Sequence, residues 1–177
     1  KGGQSEAGQK ASASHTAALA SDYTLIKSFA KQAGVTITDT VSEWLNITAA
    51  FSSVKAINGN NIMIVTNAGG PGVMSSDIAA NMDLDIVPLD KYGKEYLKKI
   101  MDHVAPHNPL DLYGDAVPEH FYRSLKAIYH DKHQDAFLVI ITPQTTTQPV
   151  KTVKMIMEAS KKFNKPVFTV LIGGEKL

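Results

Sequence analysis

The stretch Asn61–Met82 (NIMIVTNAGGPGVMSSDIAANM) decides the fold class. Its opening, Ile62 to Thr66, is an unbroken apolar run, as in a strand covered on both faces rather than one alternating between core and solvent. Asn67-Ala-Gly-Gly-Pro-Gly72 follows at once, and Val73 to Met82 then reads as a helix. A buried strand that turns through glycines straight into a helix is the first half of a crossover unit, so the strands around it are expected to run parallel.

Towards the C-terminus the alternation continues. Asp85 to Pro88 reads as a short strand, Lys91 to Met101 as a helix, Leu110 to Leu112 as a third strand and Glu119 to His130 as a helix. Ala136 to Ile141 is a fourth strand, Pro149 to Phe163 a helix and Pro166 to Ile172 a fifth strand. The succession predicts an α/β fold, a flavodoxin-like doubly wound parallel sheet with helices on both faces. With strand order 2-1-3-4-5, ligands collect at the carboxyl ends of the first and third strands. The loops there are Asn67 to Gly72 and Tyr113 to Ala116, with Thr142 to Gln148 one strand over.

Towards the N-terminus the pattern changes. Residues 54–60 (VKAINGN) carry turn chemistry at Asn58-Gly59 and mark a boundary, giving regions 1–53 and 54–177. Before it, Asp22 is placed to cap a helix with apolar Leu25, Ile26, Phe29, Ala30 and Ala33 and with Gly34 as its stop. Val35 to Ile37 reads as a short strand. Asp39 then caps a second helix with Val41, Trp44, Leu45, Thr48 and Phe51 on one side, where Trp44 is expected to pack rather than bind. The chain opens on Lys1-Gly-Gly without a strand before it and closes on an apolar strand ending in Gly173-Gly174, which predicts a crossover unit interrupted at each end.

Composition removes several function classes. The chain of 177 residues is 44% hydrophobic and carries a formal charge of +1, leaving no excess to neutralise a polyanion, so no nucleic-acid partner is expected. It has no cysteine, hence no disulfide or thiolate metal site. No apolar run approaches the roughly 20 residues of a membrane span, so a cytoplasmic protein without a membrane partner is expected.

The N-terminal run is rich in glycine and hydroxyls. Gly2, Gly3 and Gly8 permit close approach of backbone amides to an anion, and Ser5, Ser12, Ser14 and Thr16 supply hydroxyl donors around His15. A neutral imidazole is a competent phosphoryl acceptor. On chemistry alone the run reads as a phosphate loop or as an ordinary solvated one.

Elsewhere, Asn67 to Gly72 reads as an anion site at a helix start or as a tight turn. Thr142 to Pro149 reads as a polar binding loop or as helix capping, and Asn108 and Asp111 as turn-pinning residues. His103 and His107 have metal-pair spacing, but Pro106 breaks the helix needed to align them. His120, His130 and His133 read as surface residues, and no metal site is expected.

Four segments resemble one family in order. They are KGGQSEAGQKASASHTAALASD (Lys1 to Asp22), TNAGGPGVMSSD (Thr66 to Asp77), NPLDLYGDA (Asn108 to Ala116) and VIITPQTTTQP (Val139 to Pro149). The family is that of the NDP-forming acyl-CoA synthetases, which includes ADP-forming acetyl-CoA synthetase and, more distantly, succinyl-CoA synthetase. The resemblance implies an internal piece of such an enzyme, with residues 1–53 ending a phosphohistidine domain and residues 54–177 forming most of the next flavodoxin-like domain.

By the same resemblance, His15 is the catalytic residue that is transiently phosphorylated, in a loop with Gly2, Gly3, Ser5, Gly8, Ser14 and Thr16. Asn67, Gly69, Gly70 and Gly72 belong to a substrate site bordered by Pro143, Gln144 and Thr145. The family's CoA, ADP or ATP and Mg²⁺ belong to the full-length enzyme, on a CoA-binding domain and an ATP-grasp domain of the same or a partner chain, in an oligomer. The family usually has glycine where this chain has Ala17 and Ser21. The alternatives are an acyl-CoA-sensing module of a protein lysine acetyltransferase and a non-catalytic interaction module.

Overall fold

A computed structural model describes residues 3–15, 22–53 and 56–173, which fall into two compact units, Lys1–Val54 and Lys55–Leu177. The first unit holds three helices: α1 (Glu6–His15), α2 (Tyr23–Gln32) and α3 (Val41–Ser53). The run expected as a glycine-rich loop is thus helical over most of its described length. Ser5 starts α1, its Oγ accepting the Gly8 N–H at 3.1 Å, and Glu6 pairs with Lys10 one turn on at 3.0 Å. Ala7, Ala11 and Ala13 supply the propensity that glycine content concealed.

Helix α2 begins as expected, with Asp22 Oδ1 accepting the Thr24 N–H at 2.8 Å. It ends at Gly34, whose φ of +68° lets the Gly34 N–H reach Lys31 O and the Val35 N–H reach Ala30 O, closing two otherwise orphaned carbonyls. The cap of α3 is not Asp39. Thr40 Oγ1 accepts the Glu43 N–H at 3.1 Å while Glu43 Oε2 accepts the N–H groups of Thr40 and Asp39, a reciprocal capping box. Asp39 instead receives the Tyr23 hydroxyl at 3.3 Å.

No strand forms at Val35 to Ile37, because a strand needs a neighbour to share its hydrogen bonds and none lies among the described residues of this unit. For the same lack of a covering layer Trp44, expected to be packed, is 58% exposed, and Ala30 is the one buried apolar residue described in the unit.

The second unit is built on four parallel strands: β1 (Ile62–Thr66), β2 (Leu110–Asp111), β3 (Ala136–Ile141) and β4 (Val167–Leu171). Its helices are α4 (Gly69–Asn81), α5 (Lys91–Ile100), α6 (Pro118–Ile128) and α7 (Pro149–Ser160). Met63, Val65, Phe137, Val139 and Ile141 pack with Leu97, Phe121, Leu125, Ile128 and Ile156 in one core. Ile64 and Ile140, which alternate with them, are buried too, so the unbroken apolar runs did mark strands covered on both faces.

The strand order departs from the expected one: it is β2-β1-β3-β4. The segment from Asp85 to Pro88 contributes only one parallel bridge, Asn61 to Asp85, on the edge of β1 that Leu110 and Asp111 also occupy further along. Between these two short pairings the Asn108 side chain stands in for a peptide group. Its Oδ1 accepts the Ile64 N–H at 3.0 Å and its Nδ2 donates to Ile62 O at 2.8 Å and Val87 O at 2.9 Å. Two expected strands are therefore halves of one interrupted edge, joined by an amide side chain, and β3 takes the other edge of β1 over five paired residues.

Candidate functional site

Because all four strands are parallel, the loops after β1, β2 and β3 share one edge of the sheet. The chain leaves β1 for β2 on one side, whereas β3 lies on the other, so the switch point is the β1–β3 crevice. The loop Thr142 to Gln148 is thus adjacent to the Asn67 loop rather than one strand over, and Tyr113 to Ala116 flanks it from the β2 side.

One side chain joins the two central loops. Asn67 is fully buried; its Oδ1 accepts the Thr142 N–H at 2.8 Å and the Thr142 hydroxyl at 3.0 Å, and its Nδ2 donates to Thr142 O at 2.9 Å and Thr147 Oγ1 at 3.2 Å. Thr147, also fully buried, accepts the Gln144 N–H at 3.0 Å and donates to Thr142 O. The amide of Asn67 is consumed by this clip, so the side chain positions the loops. Thr146 reaches Gly114 O at 3.4 Å and Asp111 Oδ1 holds the Tyr113 N–H at 2.8 Å, which ties in the third loop and fulfils the turn-pinning expectation for Asp111.

Two helices open at this edge without a side-chain cap. Helix α4 starts at Gly69, earlier than the expected Val73, with Ala68 as N-cap; α7 starts at Pro149 behind Gln148, whose φ is +45°. The N–H groups of Gly69, Gly70, Val150 and Lys151 have no hydrogen-bond partner among the described residues. Uncapped helix starts offer N–H donors and the positive end of the helix dipole to an anion.

The glycines of α4 differ in what surrounds them. A Cβ on Gly72 would sit 3.2 Å from Thr66 Cγ2 and 3.5 Å from Pro109 Cβ, so Gly72 permits helix–strand packing. A Cβ on Gly69 would approach Asp111 Oδ2 at 3.2 Å, but one on Gly70 would meet nothing within 4 Å. Pro143, Gln144 and Thr145 are exposed at the rim.

The residues expected to form a phosphate loop lie in the other unit. His15 closes α1, Gly3 has φ +82°, Gly8 sits in the first turn of α1, and Ser14 donates to Ala11 O at 2.7 Å. Gly2, Thr16, Ala17 and Ser21 lie outside the described residues. The structure thus unites Asn67, Gly69, Gly70, Gly72, Pro143, Gln144 and Thr145, and it engages Ser5 just before α1 and Ser14 within it.

Thr147 and the ladder role of Asn108 were not legible in the sequence, since their partners lie up to 80 and 46 residues away. His120, expected at the surface, is half-buried: its ring lies 5.6 Å from that of His103 and its Nδ1 is buried without a partner among the described residues. Burial, then the His103 charge, holds its pKa below the ordinary imidazole value. Among the described residues no helix is long and apolar enough to cross a membrane, and no three His, Asp or Glu side chains cluster as metal ligands.

With this geometry in hand, the relatives are informative. The profile of the succinyl-CoA ligase like flavodoxin domain matches residues 1–51. The chain is 33% identical to the alpha subunit of acetate–CoA ligase (ADP-forming) II of Pyrococcus furiosus, over 98% of its own length and 39% of the relative's. It is 36% identical to the ADP-forming acetate–CoA ligase of Methanocaldococcus jannaschii, over 98% of itself and 25% of that protein. The chain belongs to the NDP-forming acyl-CoA synthetase family.

A solved structure agrees with the family assignment. The dinucleotide forming acetyl-coenzyme A synthetase 1 of Candidatus Korarchaeum cryptofilum, in complex with phosphate and ADP, superposes with a TM-score of 0.88 at 28% identity, over 99% of this chain and 39% of that one. The chain therefore spans about a quarter to two-fifths of the length of the family members it matches.

Proposed function

We propose that the chain is part of an ADP-forming acyl-CoA synthetase, which turns acyl-CoA, ADP and phosphate into carboxylic acid, ATP and CoA through an acyl phosphate and a phosphohistidine. The observation that supports this most is the alignment of 98% of the chain with ADP-forming acetate–CoA ligases. The relatives named above are CoA ligases and synthetases, which gives the acetyltransferase-sensor reading no support.

In this reading the crevice between β1 and β3 holds the acyl phosphate. The N–H groups of Gly69 and Gly70 on α4 and of Val150 and Lys151 on α7 offset its charge, acting where negative charge sits rather than by covalent chemistry. The bare Gly70 leaves room there that a side chain would take. Asn67 acts as a positioning residue, setting the two loops at one spacing, and Pro143, Gln144 and Thr145 border the acyl group.

His15 is the nucleophile. Its neutral imidazole nitrogen attacks phosphorus, the P–N bond forms as the P–O bond to the acyl carboxylate breaks, and the carboxylate leaves. A terminal ADP oxygen then attacks the same phosphorus and the P–N bond breaks, restoring the imidazole. CoA, the nucleotide and Mg²⁺ are assigned to a CoA-binding domain and an ATP-grasp domain of the same or a partner chain, within a cytoplasmic oligomer; the Mg²⁺ would neutralise nucleotide charge during transfer.

The intact protein, given radiolabelled ATP and Mg²⁺, should acquire an acid-labile, base-stable label that is missing from a His15→Asn variant. A label that persists in that variant would sink the assignment of His15.

A further inference from the structure

Four of the six tyrosines of the chain converge in one place. Tyr92 and Tyr96, one turn apart on α5, Tyr122 on α6 and Tyr129 just beyond it line a groove of about 340 Å³ between α5, α6 and α7, together with Lys126 and Lys162. That volume falls at the lower end of the roughly 300–1,000 Å³ of small-molecule sites, enough for one compact ligand. No loop of the β1–β3 crevice contributes a lining residue, so the groove is a separate place.

The rings are already ordered for stacking. Tyr92 and Tyr96 lie nearly parallel with centroids 6.0 Å apart, and Tyr129 stacks on Phe163 at 4.7 Å. Lys126 Nζ stands 5.4 Å from the centroid of Tyr122, within the reach of a cation–π contact. Lys126 and Lys162 enter no ion pair among the described residues, whereas Lys91 on α5 and Lys151 on α7 do. Two lysines against Glu158 give the lining a positive balance.

The lining runs from the first turn of α5 to the ends of α6 and α7, and it faces the groove with side chains. Here those side chains offer π faces, phenol hydroxyls and ammonium groups. We propose that the groove between α5, α6 and α7 binds a small planar aromatic molecule carrying an anionic group, its ring against the tyrosines and its anion between Lys126 and Lys162. A nucleoside monophosphate and an aromatic carboxylate share this chemistry.

Calorimetry and ligand-observed NMR on the full chain test it, with AMP, 4-hydroxybenzoate, adenosine and inorganic phosphate as separate probes. Saturable binding of AMP or of 4-hydroxybenzoate is expected, with adenosine and phosphate each about tenfold weaker or more than AMP if AMP is the one held; which of the two anions binds names the source. Tyr92→Ala and the double variant Lys126→Gln/Lys162→Gln alter exposed side chains and should each weaken binding about tenfold while leaving the circular dichroism melting curve in place. No saturation by either anion up to about 5 mM, or binding unmoved in both variants, would overturn the proposal.

Discussion

The apolar stripes of α6 and α3 meet opposite fates. Phe121, Leu125 and Ile128 of α6 are fully buried against the sheet and its neighbouring helices, whereas Val41, Trp44, Leu45 and Phe51 of α3 are all more than half exposed. Both helices are well closed locally, α3 by its capping box and α6 by Pro118 in its first turn. Local signals therefore build a helix in either unit, but only a sheet with unpaired apolar faces gives the stripe somewhere to go.

Paired truncations would show the contrast most strongly. Phe121→Ala should cost about 3–5 kcal/mol through lost burial and the cavity left behind. Phe51→Ala should change stability by no more than about 0.5 kcal/mol, as an exposed position does. Urea titrations followed by residue-resolved NMR measure both, and a loss above about 2 kcal/mol at Phe51 would break the comparison.

A second pair sharpens it inside the larger unit. Asn67→Ala strips four hydrogen bonds from a fully buried position and leaves the Thr142 N–H without its acceptor, at a cost of about 2–3 kcal/mol. Gln144→Ala, on an exposed side chain of the same loop, should be nearly silent. Equal midpoints for the two variants would show that the loops are spaced by something other than the Asn67 clip.

In the smaller unit the decisive terms are caps. Thr40→Ala should destabilise α3 by about 1 kcal/mol and Asp39→Ala by clearly less, read from helical amide exchange. The reverse ranking would restore Asp39 as the cap.

The mildest effect is pH-dependent. Since the His120 pKa is lowered in the fold, the unfolded chain binds its proton more readily, and the contribution of this group is complete above the unfolded value near 6.5. It declines as pH falls towards the folded value. Unfolding midpoints between pH 7.5 and 5 should drop less in His120→Gln than in the parent, on the order of a few degrees at most; parallel curves would place the titration elsewhere.

Strands β1 and β3 were legible to the residue because a continuous run of Ile, Val, Leu and Phe bounded by polar turns fits little else. Their partners were not. Whether Leu110 or Ala136 lies beside Val65 is a long-range matter, and the Asn108 amide that fills the gap in the edge looks like any turn residue when read locally. Helix α1 was hidden for the opposite reason: composition weighed its glycines and serines, but the Ser5 cap and the Glu6–Lys10 pair outweighed them. The site loops were located by strand–turn–helix grammar, yet the burial of Asn67 and Thr147 that makes them one object was not.

By itself the sequence determined the family, the parallel α/β class, the positions of the buried strands and the ends of α2, because each depends on residues within about two turns of one another or on ordered motifs. Tertiary structure alone decided the strand order, which loop faces Asn67, which glycine of α4 stays free of packing, and that four scattered tyrosines share one groove. Those outcomes depend on contacts between residues 30 to 80 positions apart, and such contacts leave no period in the chain.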